Sequence, residues 1–283
     1  MGKSSWSKLT PKISKSVAWF IVIVFAISAI APAYWMIVSS LKTQQELFTS
    51  RSPLLVLRPV ISQYEELFRT TPFGQWFLNS VVVAGSAMAI SVIFGALAAY
   101  GINRSPSRFG VTIAQVILMT YVVPRVLFVV PFYILLNSVG LLNTQFGLIL
   151  AYLTFSLPFT IWLLLGFFDG IPRELDEAAM VDGCSRVGTL MRIILPLAGP
   201  GIVATSIYIL AEAWNEFMYP LALIQTQVKT TVTVGIATMQ QGDVFAWGQI
   251  MAAGTVVTIP ILLFFMSIYR RIVGGMVAGG VKG

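Results

Sequence analysis

Long unbroken runs of apolar residues alternate along the chain with short polar segments, and Gly and Pro are scattered inside the runs, as membrane helices tolerate. A helix of about 20 residues crosses a hydrocarbon core roughly 30 Å thick, and six runs reach that length. They are residues 17–40, 77–103, 111–137, 146–168, 197–224 and 249–269. The sequence therefore predicts an all-α polytopic membrane protein with six transmembrane helices, because lipid leaves every backbone N–H and C=O to be satisfied inside a helix.

The first apolar run has some features of a signal peptide. Lys12 and Lys15 precede it, and residues 31–33 imitate a small-residue cleavage site. The apolar stretch nevertheless continues through Tyr34 to Val38, which is too long for a typical signal peptide and long enough to span a membrane. We therefore predict that it stays in the protein as the first membrane helix.

Lysine and arginine are distributed unequally between the two sides of the predicted bundle. With the N-terminus inside, twelve of the 18 basic residues fall on the inner side and five on the outer side, while Arg125 lies within a span. The excess of inner positive charge predicts that both termini are cytoplasmic. The net charge of +7 is then explained by topology and contact with anionic lipid, so no nucleic-acid partner is expected.

The composition removes several kinds of enzyme chemistry. Histidine is absent and Cys184 is the single cysteine, so the commonest metal ligand and general base are missing and no intramolecular disulfide can form. Gly274 and Gly279 have the outer spacing of a phosphate-binding loop, but Gly280 stands where that motif requires lysine. We predict a chain with no catalytic residue, no metal site and no cofactor of its own.

The segment between the fourth and fifth runs, residues 172–196, is rich in charge. The proline that opens it suits a first helical turn, and the carboxylates that follow favour the positive end of a helix dipole. A short helix is therefore predicted at about 172–182. Gly183 permits a turn with positive φ, and Ser185 can cap a second short helix that ends at Pro196. This predicted helix, turn and helix is called the knuckle below, although an ordinary solvated loop would carry the same charges.

Seven positions of the knuckle have a recognisable spacing: Glu177, Ala178, Ala179, Gly183, Ile193, Leu195 and Pro196. At every fixed position they resemble the EAA signature of the transmembrane subunits of ABC importers, written EAA-x3-G-x9-I-x-L-P. Average residue usage makes a chance match on the order of one in 10^5. Further stretches, among them "SLKTQQELF", "NSVVVA", "AWNEF" and "RRIVGGMVAGGVKG", occur in order and are similar to the carbohydrate-uptake branch, specifically to the second permease chain of the maltose transporter.

The resemblance implies that the knuckle is a coupling helix that docks in a cleft of a cytoplasmic ATPase, where Ala178 and Ala179 let a foreign surface approach closely. The implied coupling residues are Glu177, Ala178, Ala179, Asp182, Gly183, Ile193, Leu195 and Pro196. It also implies that the tail, residues 276–283, reaches between the ATPase subunits through Gly279, Gly280 and Lys282; a frayed terminus is the alternative.

Three charges lie inside the predicted spans. Counting about 1.5 Å per residue from the inner ends places Arg125 and Glu212 at matched depths of roughly 21 and 22 Å, with Glu216 about 6 Å further out. An unpaired charge at such depth costs at least about 2.5 kcal/mol, so a structural ion pair or a water-filled substrate path is expected. Pro124 and Pro131 predict that the third span is bent and lines a cavity. The candidate substrate path comprises Tyr121, Arg125, Glu212, Trp214, Asn215 and Glu216, whose aromatic rings and amide suit a sugar.

The implied function is half of the translocation pathway of an ATP-driven sugar importer, with a transmembrane permease domain at residues 17–275 between a cytoplasmic N-terminus, residues 1–16, and the cytoplasmic tail. The resemblance also implies a location in the cytoplasmic (inner) membrane. The implied partners are a second, distinct permease chain, two ATP-binding subunits that hold ATP and Mg, and an extracytoplasmic sugar-binding protein that engages residues 225–248 and the outer loop, residues 41–76. The alternative is a secondary transporter or channel in which Glu212 and Glu216, four residues apart on one helix face, carry protons or cations.

Overall fold

The computed structural model describes residues 15–49, 54–56, 58–105, 108–240 and 246–279, and all regular secondary structure in those residues is helical. Four helices there are long and apolar enough to cross a membrane: Val17–Ser40, Phe73–Arg104, Gln145–Asp169 and Trp247–Ser267. A fifth candidate is a bent pair, Arg186–Leu197 with Gly199–Trp214, whose axes differ by 80°. The prediction of an all-α polytopic membrane protein is confirmed, with four or five such spans; the count of six stays a prediction.

The α-helices follow one another along the described chain, with short 3-10 and π-helical turns between some of them. They are α1 (Lys15–Ser40), α2 (Gln44–Thr49), α3 (Ser62–Thr70), α4 (Phe73–Arg104), α5 (Arg108–Val122), α6 (Val129–Ser138), α7 (Gln145–Asp169), α8 (Glu174–Val181), α9 (Arg186–Thr189), α10 (Leu195–Leu197), α11 (Gly199–Trp214), α12 (Met218–Leu223), α13 (Val232–Thr238) and α14 (Trp247–Gly279).

The third predicted span is interrupted in the structure. α5 ends at Val122, Pro124 takes an extended conformation (φ −56°, ψ 123°), and a 3-10 turn at Arg125–Phe128 leads into α6. Proline lacks the N–H needed to continue the α-helical ladder, so the predicted bend occurs at Pro124. Pro131 lies in the first turn of α6, where its missing N–H is tolerated, and it causes no second break.

The chain divides into two compact units, Met1–Leu67 with Ala246–Thr255, and Phe68–Phe245 with Val256–Gly283. In the first unit the hydroxyls of Ser40 and Tyr64 lie 2.7 Å apart, and the buried Gln63 amide donates to the Lys42 carbonyl at 3.1 Å. A Cβ on Gly248 would overlap the Gln63 side chain. Any other residue at position 248 would therefore require the Gln63 side chain to move from its place between α3 and the start of α14.

In the second unit α4 packs along α7 and α11. Small residues face each other between α4 and α7: the buried hydroxyls of Ser91 and Ser156 lie 2.7 Å apart, and one turn further on a Cβ at Gly95 would overlap the side chain of Thr160. Such residues let two membrane helices approach closely and form hydrogen bonds with each other. These contacts matter in lipid, where the hydrophobic effect does not drive helices together. One apolar cluster gathers around Tyr152, and a second lies where Phe168 of α7 meets the segment that follows α9.

Candidate functional site

The first half of the knuckle ends in a Schellman turn. α8 runs from Glu174 to Val181, a little shorter than predicted, and Gly183 follows with φ +85°. The Cys184 N–H donates to the Ala179 carbonyl at 2.9 Å and the Gly183 N–H to the Met180 carbonyl at 3.1 Å, the two bonds that define this motif. The predicted role of Gly183 is confirmed, because this geometry requires a residue that tolerates positive φ.

The second half begins as predicted and ends differently. The Ser185 hydroxyl accepts from the Gly188 N–H at 3.1 Å and caps α9. A π-helical turn at Leu190–Ile194 follows, and the helix passes through Pro196 to end at Leu197. The prediction that Pro196 ends the helix is wrong. The Leu195 N–H already bonds five residues back, to Leu190, so the α-helical ladder is interrupted before the proline and its missing N–H removes little.

The signature residues divide between the surface and the interior of the knuckle. Ala179 is only 4% exposed, so the expectation that both alanines present a bare face holds for Ala178 alone. Ile193 and Leu195 are half-buried and pack against the apolar cluster around Phe168. The remaining signature positions, Glu177, Ala178, Gly183 and Pro196, are exposed, and so is the neighbouring Asp182.

An ion pair that the sequence did not reveal lies under the knuckle. The Asp176 carboxylate, on α8, is 2.9 Å from the Arg104 guanidinium and accepts from the Tyr100 hydroxyl at 2.6 Å. Tyr100 and Arg104 lie at the end of α4, some 70 residues earlier in the chain, and they line a cavity of about 510 Å³ together with Asp176 and Glu177. The sequence did hold one signal for a buried Asp176: it lies three residues before Ala179, so the acid and the small apolar residue share one face of α8.

The matched depths of Arg125 and Glu212 correspond to a direct contact. The guanidinium and the carboxylate are 2.5 Å apart, and the Arg125 side chain lies 4.6 Å from the centroid of the Phe155 ring, within the range of a cation–π interaction. Two cavities adjoin this pair. One of about 100 Å³ is lined by Arg125 and aromatic residues; the other, of about 330 Å³, is lined by Arg125, Tyr208, Ala211, Glu212, Asn215 and Glu216.

Glu216 is held by the backbone. One of its carboxylate oxygens accepts from the N–H groups of Phe217, Met218 and Tyr219, at 3.1, 2.9 and 3.3 Å, at the start of α12. A carboxylate at a helix start satisfies otherwise orphaned donors and meets the positive end of the helix dipole. The break between α11 and α12 therefore explains why this charge is tolerated.

The other predicted members of the substrate path lie in different surroundings. Trp214 is buried against Phe77, with ring centroids 5.8 Å apart, and belongs to the apolar core instead of lining either cavity. Asn215 lies on the larger cavity, and its amide donates to the Ala211 carbonyl at 2.8 Å. The side chain of Tyr121 lies outside the described residues.

Sequence reasoning missed Tyr208, which lines the larger cavity four residues before Glu212. Its ring stacks on Phe159 with centroids 4.0 Å apart. Tyr208 and Glu212 are four residues apart, and so are Ala211 and Asn215, which places all four on one helix face. This spacing was the signal that could have identified Tyr208. In the tail, α14 reaches Gly279, while Gly280 and Lys282 lie outside the described residues, so the predicted tail contact stays a prediction.

Comparison with known proteins adds to this geometry. Residues 91–277 match the family model described as "Binding-protein-dependent transport system inner membrane component". The chain is 33% identical to the sulfoquinovosyl glycerol transport system permease protein SmoH of Agrobacterium fabrum, over 92% of the chain and 91% of that protein. It is also 33% identical to the trehalose/maltose transport system permease protein MalG of Thermococcus litoralis, over 92% of the chain and 94% of that protein.

A solved structure shares the fold. It is the crystal structure of a bacterial ABC transporter involved in the import of the acidic polysaccharide alginate, one chain of which superposes with a TM-score of 0.76 at 19% identity. The superposition covers 92% of the present chain and 99% of that chain. The chain therefore shares its overall fold with a chain of that transporter.

Proposed function

The chain belongs to the family of binding-protein-dependent transport system inner membrane components, and we propose that it forms half of the translocation pathway of an ATP-driven sugar importer. It is a multi-pass membrane protein and a transport subunit, not an enzyme. Relatives that share about a third of its residues over most of its length are permeases for sulfoquinovosyl glycerol, trehalose or maltose, and diacetylchitobiose. Those cargoes have sugar rings in common, and we infer a carbohydrate cargo here.

The knuckle is the proposed coupling element. The observation that carries the proposal is the exposed set of Glu177, Ala178, Asp182 and Gly183, held on a short helix whose turn is locked by a Schellman motif. A rigid turn with a small-residue face suits insertion into a cleft of an ATPase subunit. In this arrangement two ATP-binding subunits bind ATP and Mg, and the termini and the knuckle are cytoplasmic.

The proposed pathway lies along the cavity that holds the Arg125–Glu212 pair. Tyr208 and Asn215 line the same cavity. The Tyr208 ring can pack against the face of a sugar ring, and the Asn215 amide can hydrogen-bond to sugar hydroxyls. In the proposed six-span bundle, α5 and α6 complete the third span, and α11 with α12 completes the fifth. A second permease chain would form the other half.

An extracytoplasmic sugar-binding protein is the fourth proposed partner, engaging residues 225–248. One alginate transporter with the same fold, at a TM-score of 0.67, was crystallised in complex with an alginate pentasaccharide-bound periplasmic protein. The alternative of proton or cation coupling receives no support from the geometry. Glu212 is paired with Arg125, and Glu216 caps α12.

Uptake measured in proteoliposomes tests the proposal. The purified chain is reconstituted with its co-purifying permease, ATPases and sugar-binding protein, and labelled sugar is counted inside the vesicles. We expect uptake that requires internal ATP and is inhibited by vanadate. Uptake by this chain alone that is abolished by an ionophore and indifferent to ATP would contradict the proposal and support a secondary transporter.

A further inference from the structure

The turn of α8 that carries the exposed Glu177 also carries a buried acid. The Asp176 side chain is 9% exposed, whereas Glu177 is exposed to solvent. Successive residues of an α-helix point about 100° apart, so one turn of α8 faces outward with one carboxylate and inward with the next. Two adjacent residues therefore have different tasks: Glu177 is part of an exposed surface, and Asp176 is a buried anchor.

The anchor is made by the end of α4. Tyr100 and Arg104 are four residues apart and so share one face of that helix. The Tyr100 hydroxyl donates to one oxygen of Asp176 at 2.6 Å, and the Arg104 guanidinium lies 2.9 Å from the other oxygen. One helix thus supplies a hydrogen bond to one carboxylate oxygen and an ion pair to the other.

Further bonds fix the same end of α4 to the connection between α7 and α8. Arg104 donates to the Ile171 carbonyl at 3.2 Å, and Arg173 donates to the Asn103 carbonyl at 2.8 Å. Asn103 also hydrogen-bonds to Asp169 at the end of α7. The connection from α7 to α8 is therefore cross-linked to α4 before α8 begins.

The consequence for movement follows from what α4 touches. α4 packs along α7 and also along α11, which carries Glu212 beside the proposed pathway. Along the backbone alone, α8 is joined to the bundle through the segment after α7 and the turn at Gly183. The Asp176 carboxylate adds a direct side-chain link from α8 to α4, so a displacement of α8 also reaches α4 through this pair.

We propose that Asp176 is a positioning residue that fixes the knuckle to α4, so that movement imposed on the exposed face of α8 reaches the helices lining the pathway. This inference rests on the proposed function, in which an ATPase engages that face. Asp176 itself contacts neither sugar nor nucleotide in this role. It determines how much of each ATP-driven displacement becomes movement of the membrane helices.

The test is the number of sugar molecules imported per ATP hydrolysed by the full importer in proteoliposomes, compared for the wild type and Asp176→Asn. Asparagine keeps the size and an acceptor for Tyr100 but removes the charge that holds Arg104. We expect the ATPases to co-purify and to hydrolyse ATP, while import per ATP falls by at least about fivefold, the lower range of coupling between sites. The matched control is Glu174→Gln, an exposed acid of the same helix, which should keep the wild-type ratio.

Two further variants guard against a simple folding defect. Tyr100→Phe removes one hydrogen bond and should lower import per ATP by about two- to threefold. The exchange Asp176→Arg with Arg104→Asp should restore part of the ratio lost in Asp176→Asn. The inference is overturned if both Asp176→Asn and Tyr100→Phe keep the wild-type ratio, or if import and hydrolysis fall in equal proportion. Failure of the wild type to import sugar with ATP would instead overturn the proposed function.

Discussion

The Arg125–Glu212 pair allows a quantitative prediction. Its side chains are 31% and 30% exposed, so the pair lies between two well-characterised limits. Exposed pairs contribute about 0–1 kcal/mol, and removing one partner of a fully buried pair costs about 3–5 kcal/mol. We expect Glu212→Gln to lower the free energy of unfolding by about 2 kcal/mol, because Arg125 loses a carboxylate while keeping the Phe155 ring. At roughly 2–4 °C per kcal/mol, the midpoint of thermal unfolding in detergent should fall by about 4–8 °C.

A double-mutant cycle separates this pair from unspecific damage. Arg125→Met, Glu212→Gln and the double variant are unfolded by heat or denaturant in the same detergent, with Glu174→Gln, an exposed acid in the first turn of α8, as a control that should lower stability by no more than about 1 kcal/mol. We expect the double variant to be more stable than the sum of the single effects by at least about 1 kcal/mol. Additivity within about 0.3–0.5 kcal/mol would refute the reasoning, because it would show that the two charges do not interact.

Three further predictions concern single positions. Gly183→Ala should destabilise the knuckle by about 1–2 kcal/mol, because a Cβ there has space but the backbone has φ +85°. Gly166→Ala in α7 also has space and an ordinary φ, so it should not destabilise the protein when the two variants are compared by thermal unfolding. Gly95→Ala should destabilise by about 1–3 kcal/mol by overlapping Thr160, while Gly85→Ala on the same helix should be neutral or stabilising, so equal signs in the same assay would contradict the α4–α7 packing. Asn215→Ala should raise the sugar concentration for half-maximal uptake if the amide meets sugar, and an uptake curve identical to wild type would remove it from the pathway.

The turn chemistry of the knuckle could be predicted because it is local. Gly183 and Ser185 act on residues within five positions of themselves, and sequence reasoning placed both. The burial of Ala179 and the partner of Asp176 depend on the end of α4, which no local pattern connects to the knuckle. Tertiary contacts of this kind require the structure.

The charges inside the predicted spans also include one feature that the sequence predicted and one that it did not. Depth counting matched Arg125 to Glu212 because both lie in helical segments with a regular rise per residue. It did not predict that Glu216 caps α12, because a continuous span over residues 197–224 has no helix start after Trp214. Pro220 was the available signal: proline is favoured in a first helical turn, and it marks the start of α12.

The most direct test of the central claim is ATP-driven sugar uptake by the full importer with Glu177→Lys and Ala178→Trp on the exposed face of α8. Glu174→Lys serves as the control, since it changes the same charge on the same helix outside the signature. We predict that the double variant loses stimulation of ATP hydrolysis by the sugar-loaded binding protein, and that its uptake falls to the level measured without ATP. Wild-type ATP-driven uptake by the double variant would contradict the claim that the knuckle couples the ATPases to this chain.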